Sequence, residues 1–435
     1  NGALNFRQKT DKGLFKFYAH YNDAYFELNR PDLDNDGALT RYDLTNRNYY
    51  VNSSWKGLLS KKWILKSGVS YTYNKDAIYI DNDLFTEQLN LAHFKSVFTR
   101  PINKKIKLNT GVELFSKQYQ QNYTTATTSF PFDANDIIGG AFAEVNIYLS
   151  KKWVTRLGVR SEYSDYLNTA TIAPRFSMAY QTSKNSQISL AAGRFYQAPE
   201  DKYLIYTDQV KNEYADQLMV NYQWAKNERT IRLEGYLKNY DDLVKFTDQP
   251  FYLPSHYTND GHGYAQGVDF FFRDQKTIKN GDYWISYSYL NTKRNYLDFP
   301  ELATPSFAGQ HNLSILYKHW ISKWRSMIGA SFNYTSPRSY NDPNSPEFNA
   351  EKMKAYQSLN VNWTYLHREN IIFYFSATNV LGYEQEFGYE FSSAPNSQGI
   401  YEKQVITPPA PRFFIIGCFI TLSKTGNKNQ LDKIN

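Results

Sequence analysis

Cysteine is nearly absent from this chain of 435 residues: Cys418 stands alone, which excludes a disulfide framework and a cysteine-based zinc site. Long apolar runs are missing too. No stretch of about 18 apolar residues occurs that could cross a membrane as a helix. Charge is weak in either sign. The 49 Lys and Arg outnumber the 42 Asp and Glu by only seven, and they are scattered rather than gathered into the basic face that nucleic-acid binding requires. No secretory leader opens the chain. Strand-like sequence begins at Asn1, so processing or truncation is expected to have removed what came before. No Ser-His-Asp order, paired-carboxylate site or phosphate loop can be placed, and the chain reads as a non-enzyme.

Aromatics, by contrast, are abundant. Tyr contributes 38 residues and Phe 29, and the aromatic share reaches 17% while mean hydropathy stays at -0.63. A polar average with many aromatics suits a transmembrane β-barrel, in which every second residue meets lipid and aromatic girdles mark both interfaces. A large soluble all-β protein has a similar composition, so the pattern must decide. That pattern is period two. Trp63, Leu65, Val69, Tyr71 and Tyr73 oppose Lys66, Gly68, Ser70 and Thr72. Ile106, Leu108, Val112 and Leu114 oppose Lys107, Asn109, Gly111 and Glu113. Trp153, Leu157, Val159 and Tyr163 oppose Arg156, Gly158, Arg160 and Glu162, and Ile231, Leu233 and Leu237 oppose Arg232, Glu234 and Lys238. Such alternation predicts half-buried strands. Aromatics about ten residues apart bracket the apolar face, which is the span of a tilted strand crossing hydrocarbon.

The connections alternate as well. One set is short and basic: Ser60-Lys61-Lys62, Asn103-Lys104-Lys105, Ser150-Lys151-Lys152 and Ser322-Lys323. The other is long and polar, at 29–45, 119–135, 247–262, 337–354 and 384–408. Short turns on the periplasmic rim and long loops outside describe an outer-membrane barrel. SKKWILKSGVSYTY from Ser60 and SKKWVTRLGVRSEY from Ser150 nearly superimpose, a hairpin rule rather than a fixed-period solenoid. About nineteen strands are predicted, starting near residues 3, 14, 47, 63, 88, 106, 137, 153, 170, 186, 213, 229, 263, 282, 310, 324, 356, 370 and 412. The fold class is therefore all-β: a transmembrane antiparallel barrel over 1–424, with a periplasmic tail over 425–435. Bacterial single-chain barrels have even strand numbers. Three further strands before the first would give about 22, the size of plugged transporters.

Three segments carry a resemblance. Ser376-Ala377-Thr378-Asn379-Val380-Leu381-Gly382-Tyr383, followed by Phe387-Gly388-Tyr389, resembles the penultimate-strand segment of TonB-dependent receptors of Bacteroidota. Ile406-Thr407-Pro408-Pro409-Ala410-Pro411-Arg412-Phe413-Phe414-Ile415-Ile416-Gly417 resembles the final strand of the same family. Gly193-Arg194-Phe195-Tyr196-Gln197-Ala198-Pro199-Glu200-Asp201 resembles a mid-barrel strand end. The chain departs from the family in lacking a terminal aromatic, a plug domain and a TonB box. The resemblance implies active import across the outer membrane, with outer-membrane lipid, TonB (through an N-terminal plug region) and a small-molecule ligand as partners. The implied cargo is a scarce nutrient such as a siderophore or other metal chelate, haem or a cobalamin-like ligand. A glycan or peptide importer with a surface lipoprotein lid is a second reading. A passive porin, and an adhesin or secretion component, are rivals from other classes.

Few residues stand out as sites. Asp32-Leu33-Asp34-Asn35-Asp36-Gly37-Ala38-Leu39-Thr40-Arg41-Tyr42-Asp43 has calcium-loop spacing, with ligands expected from Asp32, Asp34, Asp36, the Ala38 carbonyl and Asp43, and with Gly37 at the sharp turn. Asp in place of Glu at the last position weakens such a site. The competing reading is an Asp/Asn/Gly-rich hairpin turn. No other cofactor is expected. Of the histidines His20, His93, His256, His262, His311, His319 and His367, only His256 and His262 lie close in sequence. They are candidates for touching a metal chelate or haem, or ordinary wet loop groups. The lumen-facing Arg156, Arg160, Glu162, Arg232, Glu234 and Lys238 form a mixed-sign wall, either to hydrogen-bond a plug or steer an anionic substrate, or simply to hydrate the interior and pair across strands.

Overall fold

The computed structural model describes residues 1–35, 37–247 and 256–421. Nineteen strands form one antiparallel sheet. In the first half they are β1 (Gly2–Thr10), β2 (Gly13–Pro31), β3 (Leu39–Leu58), β4 (Ile64–Ile80), β5 (Asp83–Pro101), β6 (Ile106–Thr124), β7 (Ser129–Tyr148), β8 (Trp153–Ser164), β9 (Thr169–Ser183) and β10 (Ser186–Gln197). The second half holds β11 (Glu213–Lys226), β12 (Arg229–Phe246), β13 (Tyr257–Asp274), β14 (Gly281–Asn295), β15 (His311–Ile321) and β16 (Ser326–Thr335). After two minor strands, β17 (Ser339–Tyr340) and β18 (Glu351–Lys352), come β19 (Tyr356–Arg368) and β20 (Ile371–Thr378). A second minor hairpin, β21 (Gly388–Phe391) with β22 (Lys403–Ile406), precedes β23 (Phe413–Ile420). Each sheet strand pairs with the next along the chain, from β1–β2 through β16–β19 to β20–β23. Among the described residues the α-helical content is a single turn, α1 (Asp201–Leu204).

Consecutive pairing leaves every second residue on the outer face, and there the apolar set is exposed. Val69 and Tyr71 on β4, Val112 and Leu114 on β6, Leu157 and Val159 on β8, and Leu233 and Leu237 on β12 are 45–52% accessible. Among the described residues no second sheet covers them, which leaves lipid as their solvent. Aromatic columns mark the edges of this belt. Tyr21, Tyr49 and Tyr73 stack across β2, β3 and β4 with centroids 4.9 and 5.6 Å apart. At the other edge Trp153 lies against Tyr180 at 4.4 Å.

The structure differs from the sequence expectation at the long polar connections. β3 and β7 each run for 20 residues, roughly 65 Å at about 3.3 Å per residue, or twice the hydrocarbon thickness. Most of 29–45 and 119–135 is therefore strand, not loop. Only 32–38 and 125–128 remain as turns. Above the belt the outward residues turn polar, so the apolar half of the alternation disappears from sequence while the backbone ladder continues. Amide pairs replace it: Gln88 bonds Gln120 and Asn90 bonds Gln118, both at 3.4 Å, and Gln120 reaches Asp133 at 2.7 Å. The expected tail at 425–435 lies outside the described residues.

Two outward positions should separate belt from projecting wall. Leu157→Arg, inside the belt, is expected to cost about 2–4 kcal/mol, whereas Gln120→Arg, above it, should stay within about 0.5 kcal/mol. Denaturant unfolding of the barrel in lipid vesicles measures both; equal costs would misplace the bilayer.

Candidate ligand-binding mouth

The inner face follows from the outer. With Val112 and Leu114 facing lipid, Glu113, Lys117 and Tyr119 of β6 point into the barrel. The same parity turns Arg232, Glu234, Tyr236, Lys238 and Tyr240 of β12 inward.

Charges halfway down this wall are paired. Glu113, 7% accessible, accepts from Lys95 at 3.0 Å and Arg160 at 2.7 Å and lies 2.8 Å from His93 Nε2. Arg160 reaches Glu113 across β7 because Gly140 stands between them; a Cβ there would sit 3.1 Å from the guanidinium. Arg160 also pairs with Glu162. Arg156 bonds Asn146 at 2.7 Å, Glu234 accepts from Asn221 at 3.2 Å, and Lys238 lies 5.2 Å from the Tyr236 ring. Cross-strand partners are present for Arg156, Arg160 and Glu234, while Glu162 and Lys238 meet neighbours on their own strands. The reach through Gly140 was not expected from sequence.

Nearer the extracellular end the wall changes character. The inward positions of β13 are Gly261, Gly263, Ala265 and Gly267, a bare strip between β12 and β14. Neighbours lean over it from both sides. A Cβ on Gly267 would meet the Tyr236 hydroxyl at 2.5 Å, and one on Gly263 would meet Arg294 Cγ at 2.8 Å. Arg294 thereby crosses β13 to lie 4.4 Å from the Tyr240 ring, with Tyr296 at 5.4 Å and Phe307 at 5.3 Å. Its Nε is buried, with no hydrogen-bond partner among the described residues. The sequence signal was available: small residues at every second position from 261 to 267.

A lid of loops closes over this trough. The β10–β11 connection folds inward, where Lys117 of the inner wall pairs with Asp201 at the start of α1. Tyr203, Leu204 and Val210 of that connection pack with Leu167, Val244 and Tyr257, flanked by Phe132, Phe246 and Leu297. Glu213 sits at the lid's base and accepts from the Val244 amide at 2.7 Å. Burial raises its carboxyl above the ordinary range, against the pull of that amide and of Arg294.

The remaining sequence candidates fall elsewhere. Asp32 and Asp34 build a hairpin turn: Asp32 Oδ1 accepts from the Asp34 amide at 2.9 Å, and Gly37 takes φ 74°. The Ala38 carbonyl, a ligand in the calcium reading, accepts from the Asp32 amide at 2.8 Å. Asp43 lies on β3, bonded by Arg41 at 3.0 Å and Tyr25 at 3.1 Å on the outer face. Asp34 instead receives the Ser393 amide at 2.7 Å, tying this hairpin to the β20–β23 connection. Asp36 lies outside the described residues, and among those described no three acidic, His or Cys side chains gather around one point. His262 is exposed on β13, whereas His256 has a buried Nδ1 with no hydrogen-bond partner among the described residues. Arg194 faces outward, doubly bonded to Asp216 at 2.8 and 2.6 Å.

Because Glu213 has a raised pKa in the folded lid, the folded form takes up a proton before the open form does. Lid stability is then highest below the ordinary carboxylate range and declines as pH rises through the raised value. Proteolysis of the 198–212 segment, normalised to an unstructured substrate, should be faster at pH 7 than at pH 5, and Glu213→Gln should remove the difference. A pH response that survives Glu213→Gln would assign it to another group.

Residues 1–380 match the family model described as TonB dependent receptor-like, beta-barrel. A search of curated protein sequences found no match. Among solved structures, the outer membrane transporter YddB from Escherichia coli superposes with a TM-score of 0.70 at 12% identity, covering 96% of this chain and 74% of that one. The FrpB iron transporter from Neisseria meningitidis gives 0.71 at 10%, covering 96% and 71%. The ferric yersiniabactin uptake receptor FyuA from Yersinia pestis gives 0.72 at 9%, covering 94% and 68%. At such identities the likeness concerns the fold.

Proposed function

Because this chain belongs to the TonB-dependent receptor β-barrel family, we propose that it forms the wall of an outer-membrane receptor importing a scarce, compact nutrient, and that the trough on β12–β14 is the wall's contact with it. Receptors of this family bind small-molecule ligands and interact with TonB. The reading is carried by Arg294, a guanidinium laid among aromatic rings with an unpaired buried Nε. Rings on either side of a bare strip suit a flat or aromatic ligand surface, and the guanidinium suits a carboxylate or another oxygen anion on it. A metal chelate, haem or a cobalamin-like molecule meets that description. The inward-folded lid leaves the mouth better suited to a compact ligand than to a long polymer.

Growth of a receptor-dependent strain on iron-chelate, haem and cobalamin sources should identify the cargo. Arg294→Ala should weaken binding of that cargo roughly tenfold to a hundredfold, the worth of a charge-assisted hydrogen bond. Gly263→Val, which closes the strip beneath the guanidinium, should do the same without removing a charge. Liposomes holding the intact receptor that swell freely in small sugars would show an open pore and defeat the import reading.

A further inference from the structure

The nine connections on one rim are all short, two to six residues each, whereas every connection of more than seven residues lies on the other, which makes the first rim the periplasmic one. The nine short turns carry twelve Lys and Arg: Lys12, the pairs Lys61-Lys62, Lys104-Lys105 and Lys151-Lys152, then Lys184, Lys276, Lys279, Lys323 and Arg325. Against these stand three acids, Asp11, Glu228 and Glu369. The connections on the opposite rim hold eighteen Asp and Glu against seven Lys and Arg. The small net charge of the chain therefore hides two rims of opposite sign. All twelve cations are exposed, and among the described residues none of them joins an ion pair.

A solvated basic rim would account for the lysines alone. It does not account for what sits beside them. Five of these turns also expose a large apolar residue: Leu59 at 56%, Ile102 at 50%, Leu149 at 59%, Ile278 at 40% and Trp324 at 60%. In water such tips stay as exposed as in the unfolded chain and gain nothing from burial. Seated at a bilayer surface, they dip into the acyl boundary while the lysines snorkel to the phosphates. Behind two of the turns a more built feature lies on the lipid-facing side. Arg100 stacks 5.3 Å from the Trp63 ring, its Nε buried without a hydrogen-bond partner, between the Lys61-Lys62 and Lys104-Lys105 turns.

We propose that this rim is a binding collar for anionic glycerophospholipids of the periplasmic leaflet, with Arg100, Lys61, Lys62, Lys104 and Lys105 around Trp63 as its principal phosphate seat. The apolar turn tips hold the acyl end and the cations hold the phosphate. The collar sets the depth and tilt of the barrel without touching the ligand mouth.

The test uses the full chain, purified in mild detergent and offered equimolar phosphatidylglycerol and phosphatidylethanolamine, with retained lipid counted by native mass spectrometry. Phosphatidylglycerol should be retained at least about threefold over phosphatidylethanolamine, in line with electrostatic attraction of clustered Lys and Arg to anionic headgroups. K61Q/K62Q/K104Q/K105Q and, separately, R100Q should lower that preference at unchanged thermal stability, and Leu59→Ser with Leu149→Ser should lower total lipid retained. Glycerol phosphate without acyl chains should compete poorly. Equal retention of both lipids, an unchanged preference in the lysine variant, or competition by glycerol phosphate at the lipid's own concentration would each overturn the proposal. The last would make the rim a site for soluble anions.

Discussion

Hydrocarbon offers the peptide group no hydrogen-bond partner, and each unsatisfied N–H or C=O there costs several kcal/mol. The sheet strands from β2 to β20 answer that constraint by pairing on both sides, while β1 and β23 pair on one side only among the described residues. Once the ladder is in place, the two-residue period assigns each side chain to lipid or to the interior with no third choice. Function is thereby confined to the inner half of the positions and to the rims. Outer positions in the belt hold apolar, aromatic and small residues such as Ser67, Ser96 and Thr110.

Within that inner half, glycine decides which charges can meet. Gly140 lets Arg160 cross β7 to Glu113, and Gly263 lets Arg294 cross β13 to Tyr240. The two arginines then part company. Arg160 ends on two carboxylates and locks the wall. Arg294 ends among rings with an unpaired Nε. A guanidinium kept short of hydrogen bonds is costly unless a ligand completes it, and that separates a wall contact from a binding contact.

The rims divide the remaining work by charge and by loop length. Short basic turns leave the periplasmic edge flat enough to lie in a leaflet. On the other side the chain builds upward: long strands raise the wall above the membrane, and Lys117–Asp201 and the Tyr203–Tyr257 cluster draw one connection inward over the mouth. Arg30–Glu390 and Asp34–Ser393 join the first tall hairpin to the long β20–β23 connection, so the projecting wall and the loops brace one another.

Local patterning was enough for the alternation at Trp63–Tyr73 and Trp153–Tyr163, the short basic turns and a count of nineteen strands, because side-chain parity and turn chemistry are properties of adjacent residues. The family was legible in three short segments for the same reason. Strand length was not legible beyond the belt, since Gln88, Asn90, Gln118 and Gln120 carry no apolar signal and only their partners show that the ladder continues. Nor was the trough. Gly261, Gly263 and Gly267 show an alternation of small residues in sequence, but only register sets them between Tyr236, Tyr240 and Arg294. Asp43 belonged to a calcium spacing in one dimension and to the outer face of β3 in three. Contacts between residues distant in sequence come from register and curvature, which only the assembled barrel sets.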